Sequence, residues 1–510
     1  MNTLALLCLL AAPPELPATP NIVLIYVDDL GYGDVGCYGA ASADEGGVDT
    51  PNIDRLAAEG VRFTDAHCTS STCTPSRVSL LTGEYAFRRR GTGIARGDAP
   101  AIITPGRETV ATVLDRAGYQ SAVVGKWHLG LGPSEGEPMD WNGRIAPGPL
   151  EIGFDHCFLI PATGDRVPTV FVEDHAVVGL SADDPLRVSF KKKIGDLPTG
   201  RENPEQLTMG LTHGHDNTIV RGISRIGFME GGRSAWWRDE MIADRITGHA
   251  VDWIEGRADA IETVARPFFL FFSLHDIHVP RVPHPRFVGA TDMGPRGDVI
   301  AETDACVGMI LDTLDRLRLA DNTLVIFSSD NGPVLDDGYD DQSPERVGYH
   351  TPAGIYRGGK YSAFEAGTRV PTIVRWSGVV AEGTTSDALL CQVDLLGSLA
   401  KLTGQEYDAA SAPDTQDQLA AWLGHDEAGR EALVEHAPKT LSLRVGDWKY
   451  IPAANGPAVF QNTQIESGLG EAQLYNLAED PGETTNLADA EPDRLTVMAD
   501  RLDRLRESAE

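Results

Sequence analysis

Four runs of apolar residues stand out in the first two thirds of the chain: Asn21–Val27 (NIVLIYV), Tyr119–Gly125 (YQSAVVG), Pro267–Leu274 (PFFLFFSL) and Thr323–Ser329 (TLVIFSS). A short continuous apolar run fits a strand buried on both faces, the habit of parallel sheets covered by helices. Between the runs, amphipathic patterns predict helices over residues 52–59, 109–117, 240–255 and 299–317. Strands and helices alternating in this way predict an α/β domain, a mostly parallel sheet sandwiched by helices. The residues that follow each run carry the chemistry: Asp28-Asp29, Lys126-Trp127-His128, His275-Asp276-Ile277-His278 and Asp330-Asn331-Gly332. In a parallel sheet these are all carboxyl ends on one edge, where open α/β sheets bind ligands.

The pattern changes elsewhere. Residues 146–238 are rich in Gly, Pro, Asp and Arg and read as long insertions over the crevice rather than core. Beyond residue 404, short strand-like runs precede one amphipathic helix, which predicts a smaller α+β subdomain with an antiparallel sheet over 405–510. That leaves 19–404 as the catalytic domain. The apolar run Leu4–Ala12 ends at Pro13-Pro14 and is too short to span a bilayer. With small residues at Ala11-Ala12 it reads as a signal peptide over 1–18, and hence a periplasmic or secreted protein. A basic flank is missing, so a disordered start is the alternative reading. No other segment is apolar enough to be transmembrane.

Composition narrows the partners. The chain has 510 residues, 42% hydrophobic and 23% charged, as in ordinary globular proteins. Its formal net charge of −32 argues against a nucleic-acid groove or an anionic membrane surface. The seven cysteines form no C-x-x-C pair and no zinc-ribbon spacing, and are scattered as in an enzyme rather than a disulfide-stapled module.

Asp28, Asp29, Asp330 and Asn331 offer carboxylate and amide oxygens at two strand ends, the donor set of calcium or magnesium. Two independent turns are the simpler alternative. In the stretch CTSSTCTPSRVSLLTGEY, Pro75 suits the first turn of a helix, so Cys73 falls at a helix N-terminus with Arg77 one turn on. A nucleophile beside a guanidinium suits an anionic, oxygen-rich group; a buried structural cysteine is the other reading.

Cys73-Thr74-Pro75-Ser76-Arg77, followed by Leu80-Leu81-Thr82-Gly83, resembles the signature of the type I, formylglycine-dependent sulfatases of the alkaline phosphatase superfamily. The resemblance continues in order through Asp28-Asp29, Gly125–Gly130 (GKWHLG), His278, Asp330-Asn331-Gly332, Lys360 in RGGKYSAFEAGTRVP and LYNLAEDPGETTNLA near Leu474. It implies an alkaline-phosphatase-like fold and hydrolysis of sulfate monoesters. A separate formylglycine-generating enzyme would oxidise Cys73 to an aldehyde whose hydrate carries two hydroxyls. One attacks sulfur, and deprotonation of the other releases sulfate. The resemblance further implies His128 as base, His278 as leaving-group acid in preference to His275, and Arg77, Lys126 and Lys360 as sulfate holders. Calcium, or magnesium, would sit among Asp28, Asp29, Cys73, Asp330 and Asn331.

Because the protein is acidic and the substrate anionic, a local cluster of Arg77, Lys126, Arg357 and Lys360 is expected to dominate at short range, within a screening length of about 10 Å. The segments PATGDRVPTVFVED and HGHDNTIVRGISRIGFMEGG look like those of bacterial polysaccharide sulfatases. They imply a sulfated glycan, with galactose- or N-acetylgalactosamine-6-sulfate as the candidate unit and Thr163, Asp165, Arg166, His213 and His215 as candidate sugar contacts. The Arg88–Arg90 run reads as a solvated turn, with a polyanion patch as its functional alternative. Two other functions remain open: a phosphate- or phosphonate-ester hydrolase of the same superfamily, and a silent glycan-binding protein that keeps Cys73 as a thiol.

Overall fold

A computed structural model describes residues 19–133, 139–261 and 266–507, so the expected signal peptide lies outside the described residues. Ten strands form the main sheet. In chain order they are β1 (Asn21–Val27), β2 (Val61–Phe63), β3 (Gln120–Lys126), β4 (His156–Ile160), β5 (Val172–Glu173), β6 (Ala176–Val177), β7 (Phe268–Ser273), β8 (Thr323–Ser329), β9 (Thr372–Arg375) and β10 (Thr384–Ser386). Their spatial order is β10-β2-β9-β8-β1-β7-β3-β4-β5-β6. The central five, β8-β1-β7-β3-β4, are all parallel, with Ile22 of β1 opposite both Leu324 and Phe269. The flanking pairs β8-β9 and β4-β5 are antiparallel.

The apolar runs are strands because both faces of the sheet are covered. Ile22, Leu24 and Tyr26 of β1 face one core, with helices α2 (Cys73–Thr82), α3 (Val110–Arg116) and α6 (Leu395–Thr403). Val23, Ile25 and Val27 face the other, with α1 (Pro51–Ala58), α4 (Ile242–Ile261) and α5 (Pro295–Arg316). Every residue of β1 is buried, which explains a run with no polar alternation.

One expectation is corrected. Residues 146–238 are not all insertion, because β4 extends the parallel sheet and buries Cys157 to Ile160. The run HCFLI is short and opens on a half-buried histidine, so its strand pattern is lost among Gly- and Asp-rich flanks.

The C-terminal region builds an antiparallel sheet from β11 (Ala432–Ala437), β12 (Thr440–Val445), β13 (Trp448–Ile451) and β14 (Gln473–Asn476), covered by α7 (Pro492–Glu507). Met498 and Leu502 of α7 pack on Leu433, Leu443, Tyr450 and Leu474, and the same core takes in Tyr85, Leu389 and Val393. Beside this core lies a buried ionic network. Lys449 reaches Glu365 (3.0 Å), Glu435 (2.7 Å) and Glu483 (3.5 Å). Arg444 and Arg369 bridge Asp65 and Glu365. His67 lies 2.9 Å from Asp65 and 3.3 Å from Glu435. Glu365 belongs to the segment that carries Lys360, so the network ties the C-terminal sheet to the candidate site.

Cys37, Cys68, Cys73, Cys157, Cys306 and Cys391 are all free thiols. Cys68 is a buried bystander whose Sγ donates to the Ser70 carbonyl (3.2 Å). Arg88 is clamped by Asp414 (2.7 Å) with both side chains nearly buried, so that part of the Arg88–Arg90 run is an anchored turn. No helix among the described residues is long and apolar enough to cross a membrane.

Candidate active site

Five parallel strands deliver their carboxyl ends to one edge. β1 is followed by Asp28 and Asp29, and β3 ends at Lys126 with His128 two residues on. β4 leads to the 163–166 loop, β7 to His275 and His278, and β8 to Asp330 and Asn331. Gly125 is required here: its φ is +117°, and a Cβ would meet the Ser273 carbonyl of the neighbouring strand at 1.8 Å. Asp29 (φ +61°) and His128 (φ +55°) also adopt the left-handed region, backbone strain of the kind that gathers at functional sites.

The opening residue of α2 is Cys73, after Thr72 as N-cap, and all ten helix residues are buried. The His128 Nδ1 lies 3.2 Å from Cys73 Sγ. Its Nε2 is 2.9 Å from the Ala95 carbonyl, which can only accept, so Nε2 carries the proton and Nδ1 presents a lone pair to Cys73. Burial, then Lys126 and Arg166, holds the His128 pKa well below the usual imidazole value, so the ring is neutral. Burial pushes the Cys73 thiol up, with Lys126 opposing.

Arg77, one helical turn after Cys73, donates Nε to Asp330 Oδ2 (2.8 Å) and Nη1 to Ser273 Oγ (2.6 Å) and the Lys126 carbonyl (3.1 Å). Lys126 Nζ pairs with Asp28 and lies 3.8 Å from Asp330. Lys360 Nζ bridges Asp29 (2.9 Å) and Asp337 (2.8 Å). Asn331 Nδ2 donates to Asp29 Oδ1 (2.7 Å). Burial and then Asp330 push the Asp28 carboxyl well up. Burial acts the same way on Asp29, but Lys360 and Lys126 outweigh it and hold that carboxyl low.

His278 donates Nδ1–H to the Val279 carbonyl (2.7 Å), leaving Nε2 directed at the cluster, 4.0 Å from Asp29 Oδ2. Burial, then Lys360 and Lys126, lowers its pKa well below the usual value. His275 is engaged elsewhere, since its Nε2 accepts the Gly164 N–H at 2.8 Å. The structure therefore directs His278, and not His275, at the cluster.

The residues present fit a hard divalent cation. Asp28 Oδ1 and Asn331 Oδ1 are buried acceptors with no partner, next to Asp29, Asp330 and the Cys73 side chain. The charge balance agrees. With every carboxylate ionised, Asp28, Asp29, Asp165, Asp330 and Asp337 outnumber Arg77, Lys126, Arg166 and Lys360 by one negative charge, so the residues alone repel an anion. A divalent cation reverses the sign.

The candidate sugar contacts come together in part. Thr163 donates to Asp165, and Arg166 Nη1 reaches Asp165 (2.7 Å) and Thr163 (2.7 Å). His215 Nε2 lies 3.0 Å from Asp165 Oδ2. His213 turns away to Thr212 (3.1 Å) and Asp336 (3.7 Å). Arg357 also leaves the expected basic cluster: it pairs with Glu466, donates to the Glu483 carbonyl (2.7 Å) and covers the Phe364 ring. Arg166 takes its place, near enough to feel Cys73, Tyr361 and Asp337. Asp337 was missed in the sequence. It lies seven residues after Asp330 in an irregular loop, held by the fully buried Arg281, which donates to the Leu335 carbonyl (2.8 Å), Asp341 (2.8 Å) and the Ile277 carbonyl (2.9 Å). The only local signal was the acidic run Asp336-Asp337.

The pattern that defines the sulfatases matches residues 20–405. An N-acetylgalactosamine-6-O-sulfatase of Bacteroides thetaiotaomicron is 50% identical over 489 residues, 96% of this chain and 93% of that protein. Human arylsulfatase A is 31% identical over 527 residues, 97% of this chain and 89% of its own. A solved structure from work on glycosaminoglycan metabolism by Bacteroides thetaiotaomicron superposes with a TM-score of 0.92 at 49% identity, covering 96% of this chain and 100% of that one. With the Cys73-x-Pro75-Ser76-Arg77 helix seated among the strand-end carboxylates, histidines and lysines, the chain belongs to the sulfatase family and is a sulfuric ester hydrolase.

Proposed function

We propose that the protein removes the 6-O-sulfate of N-acetylgalactosamine, or of galactose, within a sulfated glycan. The observation that carries this reading is half identity to an N-acetylgalactosamine-6-O-sulfatase over nearly the whole of both chains. The substrate is expected to lie with its sulfate on Cys73 and its sugar toward the Asp165–Arg166–His215 network. Release of sulfate from N-acetylgalactosamine-6-sulfate is expected to exceed that from the 4-sulfate by at least about a hundredfold in kcat/KM, since a misplaced ester strands the polar sugar contacts. Ion chromatography of both reactions decides it, and equal rates would remove the positional assignment.

Cys73, converted to formylglycine by a separate maturation enzyme, supplies as its hydrate an attacking hydroxyl and a second hydroxyl whose deprotonation frees the sulfate. Calcium, with magnesium as the alternative, would be held by Asp28, Asp29, Asp330, Asn331 and the modified Cys73, and would supply positive charge to offset that of the sulfate. Arg77, Lys126 and Lys360 hold those oxygens and stabilise the charge that develops as the ester bond breaks. His128 Nδ1 accepts a proton from the hydroxyl at position 73. His278 Nε2 takes up a proton when the anionic ester binds beside it and delivers that proton to the departing sugar oxygen, Nδ1 keeping its own on the Val279 carbonyl. The apolar run before residue 19 supports a periplasmic or secreted location.

His278→Ala is expected to lower kcat by about 10²–10⁴ on alkyl sulfates, whose leaving oxygen needs a proton. On an activated aryl sulfate the loss is expected to be far smaller. Equal losses on both would remove His278 from the acid role. A phosphate-ester hydrolase is the second reading, and turnover of a sulfate and a phosphate ester of one alcohol separates the two.

A further inference from the structure

At the opposite end of β4 from the active site, His156, Glu173 and His249 converge from three elements: the first residue of β4, the last of β5 and the middle of α4. The two imidazoles face each other with Nε2 to Nε2 at 2.8 Å, and His249 Nε2 is 4.0 Å from Glu173 Oε1. His156 Nδ1 lies 2.9 Å from Asp174 Oδ1. The carboxylate can only accept from a neutral ring, so Nδ1 carries the proton and His156 Nε2 is a lone pair aimed at His249. The His249 ring lies nearly parallel to Phe158 at 4.2 Å, which fixes its plane. Burial, then His156, lowers the His249 pKa and favours the neutral, ligating form. The three side chains are 20%, 46% and 24% exposed, so solvent ions can reach them.

Two imidazoles and one carboxylate form a zinc-type donor set, unlike the all-oxygen set of calcium. A carboxylate on the far nitrogen of a ligating histidine is the usual second partner of such sites. Ligands at about 2.1 Å in a tetrahedron stand roughly 3.4 Å apart, and the observed 2.8 and 4.0 Å bracket that value. A second histidine–carboxylate cluster outside the active site, the buried Asp65–His67–Glu365, is already compensated by Arg369 and Arg444. Among the described residues no lysine or arginine bonds to His156, Glu173 or His249. Without an ion, the pair is a plain N–H···N hydrogen bond.

We propose that His156, His249 and Glu173 form a second cation site for zinc or a similar borderline divalent ion, with Asp174 orienting His156 and water completing the shell. The ion would tie the β4–β5 edge to α4. It takes no part in the chemistry, because Ile160, beside Lys126, lies four residues along the strand from His156, about 13 Å at the usual rise.

The test uses the full chain, stripped with chelator, returned to saturating calcium and titrated with zinc chloride in a calorimeter at about pH 7.5. One site of micromolar or tighter affinity is expected. It should weaken at least about tenfold in His249→Ala, His156→Ala and Glu173→Gln, and about tenfold in Asp174→Asn. Zinc should raise the melting midpoint of the wild type and leave that of His249→Ala unmoved, while His249→Ala keeps wild-type sulfatase activity in calcium. A zinc-edge absorption spectrum of the wild type, which needs no variant to fold, should show two imidazoles. No zinc binding, binding unchanged in His249→Ala, or an all-oxygen shell that places zinc in the strand-end cluster, each overturns the proposal.

Discussion

Serine in place of Cys73 is expected to stop turnover, lowering kcat by on the order of 10⁴–10⁶, the scale at which loss of a nucleophile is measured in hydrolases. The reason is geometric as well as chemical. A serine Oγ would stand where Sγ stands, 3.2 Å from His128 Nδ1 and at the start of a fully buried helix. It can attack sulfur, but it has no second hydroxyl whose deprotonation expels sulfate from the same carbon. One equivalent of alcohol should be released and the sulfate should stay on the substituted side chain, readable by peptide mass spectrometry. Continued turnover by Cys73→Ser would sink the two-hydroxyl mechanism. So would a fully active wild-type preparation in which the Cys73 peptide is a thiol throughout.

Lys449→Met is expected to destabilise the protein by about 3–5 kcal/mol, the cost of leaving buried carboxylates without their cation. Lys449 is completely buried and serves Glu365, Glu435 and Glu483 at once. A urea midpoint measures the loss. Adding Glu435→Gln should recover part of it by removing surplus negative charge, and no recovery would mean that packing, not charge, sets the cost. The pH dependence has a definite sign. In Glu365, burial raises the pKa, but Lys449, Arg444 and His67 outweigh it and hold the carboxyl well below its usual value; Asp65 is likewise held low by Arg369 and Arg444. Depressed carboxylates contribute stability above their unfolded values, near about pH 4, and lose it as pH falls through the folded ones. The gap between wild type and Lys449→Met should therefore narrow below about pH 4. Activity should fall as well, because Glu365 lies five residues from Lys360 on one segment.

Much of this was readable in one dimension. A strand buried on both faces must be apolar throughout, so β1, β3, β7 and β8 announced themselves, and their carboxyl ends had to share an edge. Asp28, Lys126, the pair His275 and His278, and Asp330 follow from that rule alone, before any family signature is considered. The Pro75 and Arg77 positions likewise put Cys73 at a helix start. β4 escaped notice because a five-residue strand opened by a half-buried histidine carries too little pattern. Asp337, Arg281 and the true place of Arg166 escaped because loop conformation has no period.

By itself, then, the sequence determined the parallel sheet, the edge where chemistry gathers and the nucleophile's helix, since these depend on local pattern and on the fixed polarity of parallel strands. Only the tertiary structure decided which of two histidines faces the site, that Arg357 turns away while Arg166 turns in, and that one negative charge is left over among the buried carboxylates and cations of the strand-end cluster. Those outcomes depend on distances between residues far apart in the chain. At such buried positions a side chain's role is set by the partner that compensates its charge, and the partner is chosen by the packed fold.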